Sequence, residues 1–315
     1  MKEFIKKMIY KIPIIGSWKK DVDTYKTYYP PGHYANPFPS IQEVNKYADR
    51  IFDNKKKLYG INLRKEEQFF LLQQLSENYS KLIFSDSVRD GNRYFYNNPM
   101  YSYCDGIFLF LILLHIKPTR LIEIGSGFSS ALLLDVVEKE KLKTKLTFIE
   151  PFPERLYRLI SEKDKVSHQI ISKPIQEVDL SLFDTLEKDD ILFLDTSHIL
   201  KTASDLYVEI FEILPRLKPG VIIHIHDIFP HFEYPKEWIY KQKAYNEAYF
   251  LKSFLMYNEH YEMVLMNSWI QQEFSAYISE HMPLVMKSKG SSLWLKKIKY
   301  YNMKIHEYQA KEFFS

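Results

Sequence analysis

From Pro118 onward the chain alternates short apolar runs with amphipathic stretches. Leu121–Ile124, Leu146–Ile149, Val166–Ile171, Ile191–Leu194 and Val221–Ile225 have strand length and are bounded by turn residues or charge. Between them the spacing predicts helices over Ala131–Val137, Pro153–Ile160 and Asp205–Leu214, with a turn-rich helical segment over Ile175–Leu186. Such alternation belongs to a parallel sheet covered by helices on both faces. A helix is expected over Lys243–Tyr257, followed by two more strands, Tyr261–Met266 and Ser292–Leu295, with no strand-like run between them.

Upstream, Ser40 and Glu43 form a capping-box pattern that opens a helix through about Phe52. Phe69, Leu71, Leu72, Leu75 and Tyr79 give residues 64–80 an amphipathic spacing, and Ile107–His115 reads as an apolar helix. Residues 1–105 are therefore read as an N-terminal helical and irregular extension packed on the main domain. Residues 106–298 form that domain, and 299–315 a basic, aromatic tail, expected to close as a helix.

Composition adds bounds. Of 315 residues, 46% are hydrophobic and 26% charged, enough apolar mass for a sizeable core. A net charge of +3, with no dense Lys/Arg block, argues against a nucleic-acid partner. The single Cys104 excludes an internal disulfide framework and a cysteine zinc site, and fits a reducing cytoplasm; it is read as a buried structural thiol. No apolar run approaches the roughly 18 residues that span a bilayer. The basic, amphipathic start, Met1 to Gly16, leaves peripheral contact with an anionic membrane open, beside docking on the domain.

The chemistry gathers around Pro118–Pro151. Gly125 and Gly127 bracket a turn between the first strand and its helix, Glu123 sits in the strand end, and the second strand ends on Glu150. Strand, Gly-x-Gly turn, helix, strand, acid is a way of holding an adenosine-containing cofactor, the acid accepting from ribose hydroxyls. A dinucleotide fingerprint asks for glycine where Ser130 stands, which suits a ligand without a pyrophosphate.

Four ordered motifs resemble class I S-adenosylmethionine-dependent methyltransferases, in particular a bacterial branch: I-E-I-G-S-G-F-S-S, the acid Glu150, L-F-L-D-T-S-H at 192–198, and L-K-P-G-V-I-I-H-I-H-D at 217–227. The resemblance implies a Rossmann-like, doubly wound, seven-stranded sheet whose last strand is antiparallel. It also implies S-adenosylmethionine as cofactor, with Glu123, Gly125 and Gly127 around the methionine part, Glu150 on the ribose and Gln176 near the adenine. Asp195 counts among the cofactor-facing as well as the catalytic residues.

Asp195 and His198 follow the fourth strand, at the carboxyl edge where open α/β sheets place ligands. Metal-dependent catechol-type O-methyltransferases carry a magnesium-binding Asp at the first position and a lysine base at the second, so His198 is the candidate general base, an imidazole near neutrality taking a hydroxyl proton. The bland alternative is an Asp–His pair capping the next helix. His224, His226 and Asp227 surround the end of the fifth strand, alternation putting both histidines on one face. Asp195 and Asp227 form a candidate pair for Mg²⁺, and His226 adds a nitrogen better suited to another divalent metal. Where the catechol-type enzymes have Asn after the second Asp, this chain has Ile228, so one ligand is missing. The competing reading makes His226 a base or substrate contact with no metal. Phe229–Trp238, with His33 and Tyr34, is a candidate lid, and Arg93, Asn97, Tyr101 and Asp105 are candidate pocket residues.

The function expected is methyl transfer to oxygen of a small hydroxylated acceptor, a sugar or secondary metabolite, by a cytoplasmic enzyme whose extension serves as substrate cover or homodimer face. The rivals are a catalytically inactive cofactor-binding module and a nicotinamide-dependent oxidoreductase.

Overall fold

The computed structural model describes residues 27–53, 55–88 and 91–300. The basic N-terminal stretch and the expected closing helix of the tail lie outside them. The chain divides into two compact units, residues 1–53 with 235–244, and residues 54–234 with 245–315.

In the smaller unit Ser40 accepts from the Glu43 amide and opens helix α1 (Ile41–Lys46). The helix expected to reach Phe52 is broken at Tyr47, which leaves helical geometry at φ −110°, ψ 15°, and a short α2 (Ala48–Ile51) follows. Aromatic residues dominate the segment before α1, with the Tyr29 and His33 rings stacked at 4.3 Å.

The larger unit opens with α3 (Lys65–Ser76) and α4 (Tyr103–Ile116). In α4 every residue from Tyr103 to Leu114 is buried, as expected of a helix apolar on all sides. Cys104 lies within it, fully enclosed, and burial pushes its thiol pKa up. Then come β1 (Arg120–Ile124), α5 (Phe128–Lys139), β2 (Lys145–Ile149), α6 (Glu154–Leu159), α7 (Glu162–Ser167), β3 (Gln169–Ile171), β4 (Ile191–Leu194), α8 (Asp205–Val208) and β5 (Ile222–Ile225). α9 (Lys236–Tyr240) belongs to the smaller unit; α10 (Glu247–Leu255), β6 (Tyr261–Met266), α11 (Asn267–Glu273), α12 (Ser275–His281) and β7 (Leu293–Lys297) complete the larger one.

The seven strands form one sheet in the order β3-β2-β1-β4-β5-β7-β6. β7 runs antiparallel to both its neighbours, and the pairs among β1 to β5 are parallel. This is the expected doubly wound sheet with an antiparallel last strand. The order reverses beside β1, so the ends of β1, β2, β4 and β5 share the ligand-binding edge of the sheet.

Three elements differ from expectation. β3 starts at Gln169, not Val166, because Ser161 and Asp164 form a reciprocal capping box that makes residues 162–167 helical. Val166, read as a strand residue, is exposed. The helix over 205–214 is α-helical for one turn only and continues as a π-helical turn, Glu209–Ile213. α10 begins at Glu247, since the chain ahead of it bonds to the loop after β4. Among the described residues, no helix is long and apolar enough to cross a membrane.

Candidate active site

At the end of β1 the chain turns sharply on Gly125, at φ +85°, whose amide donates to the Ile149 carbonyl at 2.9 Å. A Cβ here would lie 1.7 Å from the Asp195 carbonyl oxygen. The glycine is thus required by left-handed backbone and by the crossing of two strand ends. Gly127 is extended, and its open face is covered by the stem of Arg155.

Side chains lock the turn. Ser130 is buried, accepts from the Gly127 amide at 2.9 Å and donates to Glu123. That explains a serine where a dinucleotide site would carry glycine. The Glu150 carboxylate accepts from the amides of Ser126 (3.1 Å) and Phe152 (2.8 Å), which ties the end of β2 to the turn. Glu123 is fully enclosed. Burial pushes its carboxyl up to about 8, against the opposing hydrogen bonds of Ser129 and Ser130. One of its oxygens, Oε1, is buried with no hydrogen-bond partner. A buried acceptor lacking a donor, beside a Gly-x-Gly turn, fits a ligand that brings a cationic N–H donor. Gln176 donates to the Ala203 carbonyl at 2.9 Å and lines a cavity of about 720 Å³ with Ile175, Leu200, Tyr207 and Phe211.

The ends of β4 and β5 carry the second group. His198 at φ +60° and Asp227 at φ +58° both occupy the left-handed region, strain that a non-glycine residue holds only where its surroundings impose it. The surroundings are specific. The His198 carbonyl accepts from the amides of Asn246 (3.0 Å) and Glu247 (3.3 Å) at the start of α10. The Asn246 side chain accepts from the Leu200 amide at 2.6 Å. Glu247 is buried, and its Oε2 lies 2.7 Å from Nδ1 of His198. The other ring nitrogen, Nε2, faces Asp195 at 3.5 Å and Asp227 at 3.4 Å.

Electrostatics follow from this geometry. Burial of His198 opposes its charged form, but Asp195 and Glu247 prevail and hold its pKa well above the usual range. Facing three carboxylates, the ring is favoured in its charged form, above the near-neutral range expected of it. Asp195 is held below the ordinary carboxylate range, burial being outweighed by the fields of His226 and His198, whereas burial raises Asp227.

The metal expectation meets a different arrangement. Among the described residues no three His, Cys, Asp or Glu side chains form a cluster that could hold a metal ion. The His198 ring stands between Asp195 and Asp227, and Nε2 of His226 is 3.7 Å from Asp227.

His224 and His226 share a face, their rings 5.8 Å apart at 17°. Only His226 neighbours the cleft. His224 stacks on Phe193 at 3.7 Å, bonds Ser292 at 2.9 Å and is kept neutral by burial. Three candidate pocket residues are held by contacts within the protein. Arg93 pairs with Asp135, Glu138 and Asp164, and Asp105 accepts from the Ser291 and Ser292 amides and from Asn267. Tyr101 is enclosed, its ring 5.0 Å from that of His226, while Asn97 is exposed. Phe232 and Tyr234 of the candidate lid are buried, and the Tyr234 hydroxyl accepts from the Ala248 amide at 3.0 Å. His33 and Tyr34 lie in the smaller unit.

Sequence reasoning missed Glu247, which stands 49 positions from its partner in what reads as an ordinary helix start. It also missed Glu209, fully buried on the π-helical turn, whose carboxyl is pushed well up by burial and then by Glu247. A carboxylate in an otherwise apolar helix face was the one signal available for either.

Residues 122–228 match the model of a methyltransferase domain. An uncharacterized protein of Archaeoglobus fulgidus is 34% identical over 172 residues, covering 52% of this chain and 76% of that protein. Among solved structures, the Podospora anserina methyltransferase PaMTH1 bound to SAH overlaps 87% of this chain and 100% of its own, at 14% identity and a TM-score of 0.43. The plantazolicin methyltransferase BpumL in complex with SAH overlaps 75% and 99%, at 15% identity and a TM-score of 0.38. With its own sheet order and the matched domain taken together, the chain has a class I S-adenosylmethionine-dependent methyltransferase-like fold and belongs to the same family as the archaeal protein.

Proposed function

We infer that the chain is a methyltransferase that uses S-adenosylmethionine to methylate oxygen on a small hydroxylated acceptor, a sugar or secondary metabolite, with His198 as general base. The observation that carries this reading is the buried Glu247–His198 pair at 2.7 Å, which leaves Nε2 directed at the ends of β4 and β5 beside the Gly125 turn. When bound, the cofactor supplies an activated methyl group on a sulfonium. Glu123 and the turn from Gly125 to Gly127 hold its amino-acid end, Glu150 its ribose, and Gln176 borders its adenine. His198 holds or takes a proton at Nε2, and Glu247 fixes the ring by engaging Nδ1, so that a hydroxyl aligned with the methyl loses its proton as it attacks. Asp195 and Asp227 stabilise the imidazolium so formed. A base raised above neutrality is strong but mostly protonated at pH 7, so the reading includes a rate that climbs with pH. Domain assignment follows the same reading: residues 106–298 carry the chemistry, 1–105 and 299–315 serve as extension and tail, and the enzyme works in the cytoplasm.

The test is methyl transfer from labelled S-adenosylmethionine to a panel of hydroxylated acceptors by the full chain and by His198→Ala. The reading expects turnover that the variant loses while its affinity for S-adenosylhomocysteine survives; equal turnover by the variant removes His198 from the mechanism.

A further inference from the structure

Gly127 has a backbone that any residue adopts, yet it is the one site in the turn where a side chain from another element is laid across the α-carbon. A Cβ there would meet Cδ of Arg155 at 3.3 Å and its Nη1 at 3.9 Å. Arg155 projects from the start of α6, five residues past Glu150, and is exposed. Among the described residues its guanidinium makes no hydrogen bond or ion pair, although Glu150 lies close in the chain. It is not remote from the site: its charge is among those that hold Asp195 below the ordinary carboxylate range.

The turn therefore presents two unmatched polar groups of opposite kind, an acceptor and a cation. On the inner side is the buried Glu123 oxygen with no donor. On the outer side is a guanidinium with no acceptor. An α-amino acid end carries the complement of both, an ammonium and a carboxylate on one carbon. We propose that Arg155 is the anchor for the α-carboxylate of the cofactor's amino-acid end, and so the residue by which the site distinguishes a full amino-acid tail from a truncated one. The proposal rests on the cofactor reading above. Arginine suits the task because its planar fork meets a carboxylate with two parallel N–H donors, which lysine cannot do.

The experiment is calorimetric titration of the full chain, Arg155→Ala and Arg155→Lys with two ligands: S-adenosylhomocysteine, and 5′-methylthioadenosine, which keeps the adenosine and sulfur but lacks the amino-acid end. Arg155→Ala is expected to weaken S-adenosylhomocysteine by about tenfold or more and to leave 5′-methylthioadenosine unchanged, with Arg155→Lys in between. Retained binding of the truncated ligand shows that the variant is folded. Equal weakening of both ligands, or of neither, overturns the proposal. If the unaltered chain binds 5′-methylthioadenosine as tightly as S-adenosylhomocysteine, the amino-acid end is unread and the proposal also falls. Binding of neither by the unaltered chain overturns the cofactor reading, and this inference with it.

Discussion

Gly125 and Asp195 meet so closely that the carbonyl oxygen of the second occupies the space a side chain on the first would need, 1.7 Å from an ideal Cβ. The glycine turn after β1 and the end of β4 are thus one piece of backbone geometry. Gly125→Ala adds a positive-φ penalty to this clash, and is expected to cost about 3 kcal/mol or more in urea unfolding. A loss under ~0.5 kcal/mol would mean that the two strand ends move apart freely.

Glu247→Gln keeps the shape at Nδ1 of His198 and removes the charge. Since Glu247 raises the His198 pKa, the variant's rate should begin its climb at lower pH than the wild type's, and its plateau should fall by roughly 10²-fold as the base weakens and its orientation loosens. The pH dependence of kcat for both proteins checks this. An unshifted profile with a lowered plateau would reduce Glu247 to a packing residue.

Glu123 makes a stability prediction with a definite sign. Its pKa rises from 4.5 to about 8 on folding, so its contribution is fully present below 4.5 and is lost as pH rises toward 8. The difference amounts to something on the order of 5 kcal/mol. Urea unfolding at pH 5, 6.5 and 8 should show wild-type stability falling over this window and Glu123→Gln nearly level. An equal slope in both would place the pH dependence elsewhere.

Arg93 joins the segment before α4 to α5 and α7 through Asp135, whose side chain has no exposure, and Asp164, which it helps hold at about 2. Arg93→Ala strands a buried carboxylate, and about 3 kcal/mol of stability should be lost. Arg93→Lys should recover only part, because one ammonium cannot serve both acids with paired N–H groups. Chemical denaturation of the two variants decides it.

The sheet was legible in the sequence because five short runs of strand length alternate with helical spacing, three of them closed directly by Gly125, Glu150 and Asp195. The last strand's reversal was implied by the family resemblance, and the absence of a strand-like run between Met266 and Ser292, a gap that α11 and α12 fill, is compatible with it. What escaped was set by contacts remote in sequence. His198 looks like a near-neutral base until Glu247 and Asp227 arrive from two other elements. Arg155 looks like a solvated helix residue until its stem is found across Gly127. Val166 was misassigned for a local reason, since the Ser161–Asp164 capping signal was present in the sequence and the apolar run outweighed it.

The proposed function stands on S-adenosylmethionine being held by the turn from Gly125 and by the acid at Glu150. Calorimetric titration with S-adenosylhomocysteine, with NAD as control, tests it most directly on the unaltered chain and on Glu150→Ala. The expected result is micromolar binding of S-adenosylhomocysteine, about −8 kcal/mol, no binding of NAD, and a marked loss in the variant. Binding of NAD in its place, or full-strength binding by Glu150→Ala, would contradict it.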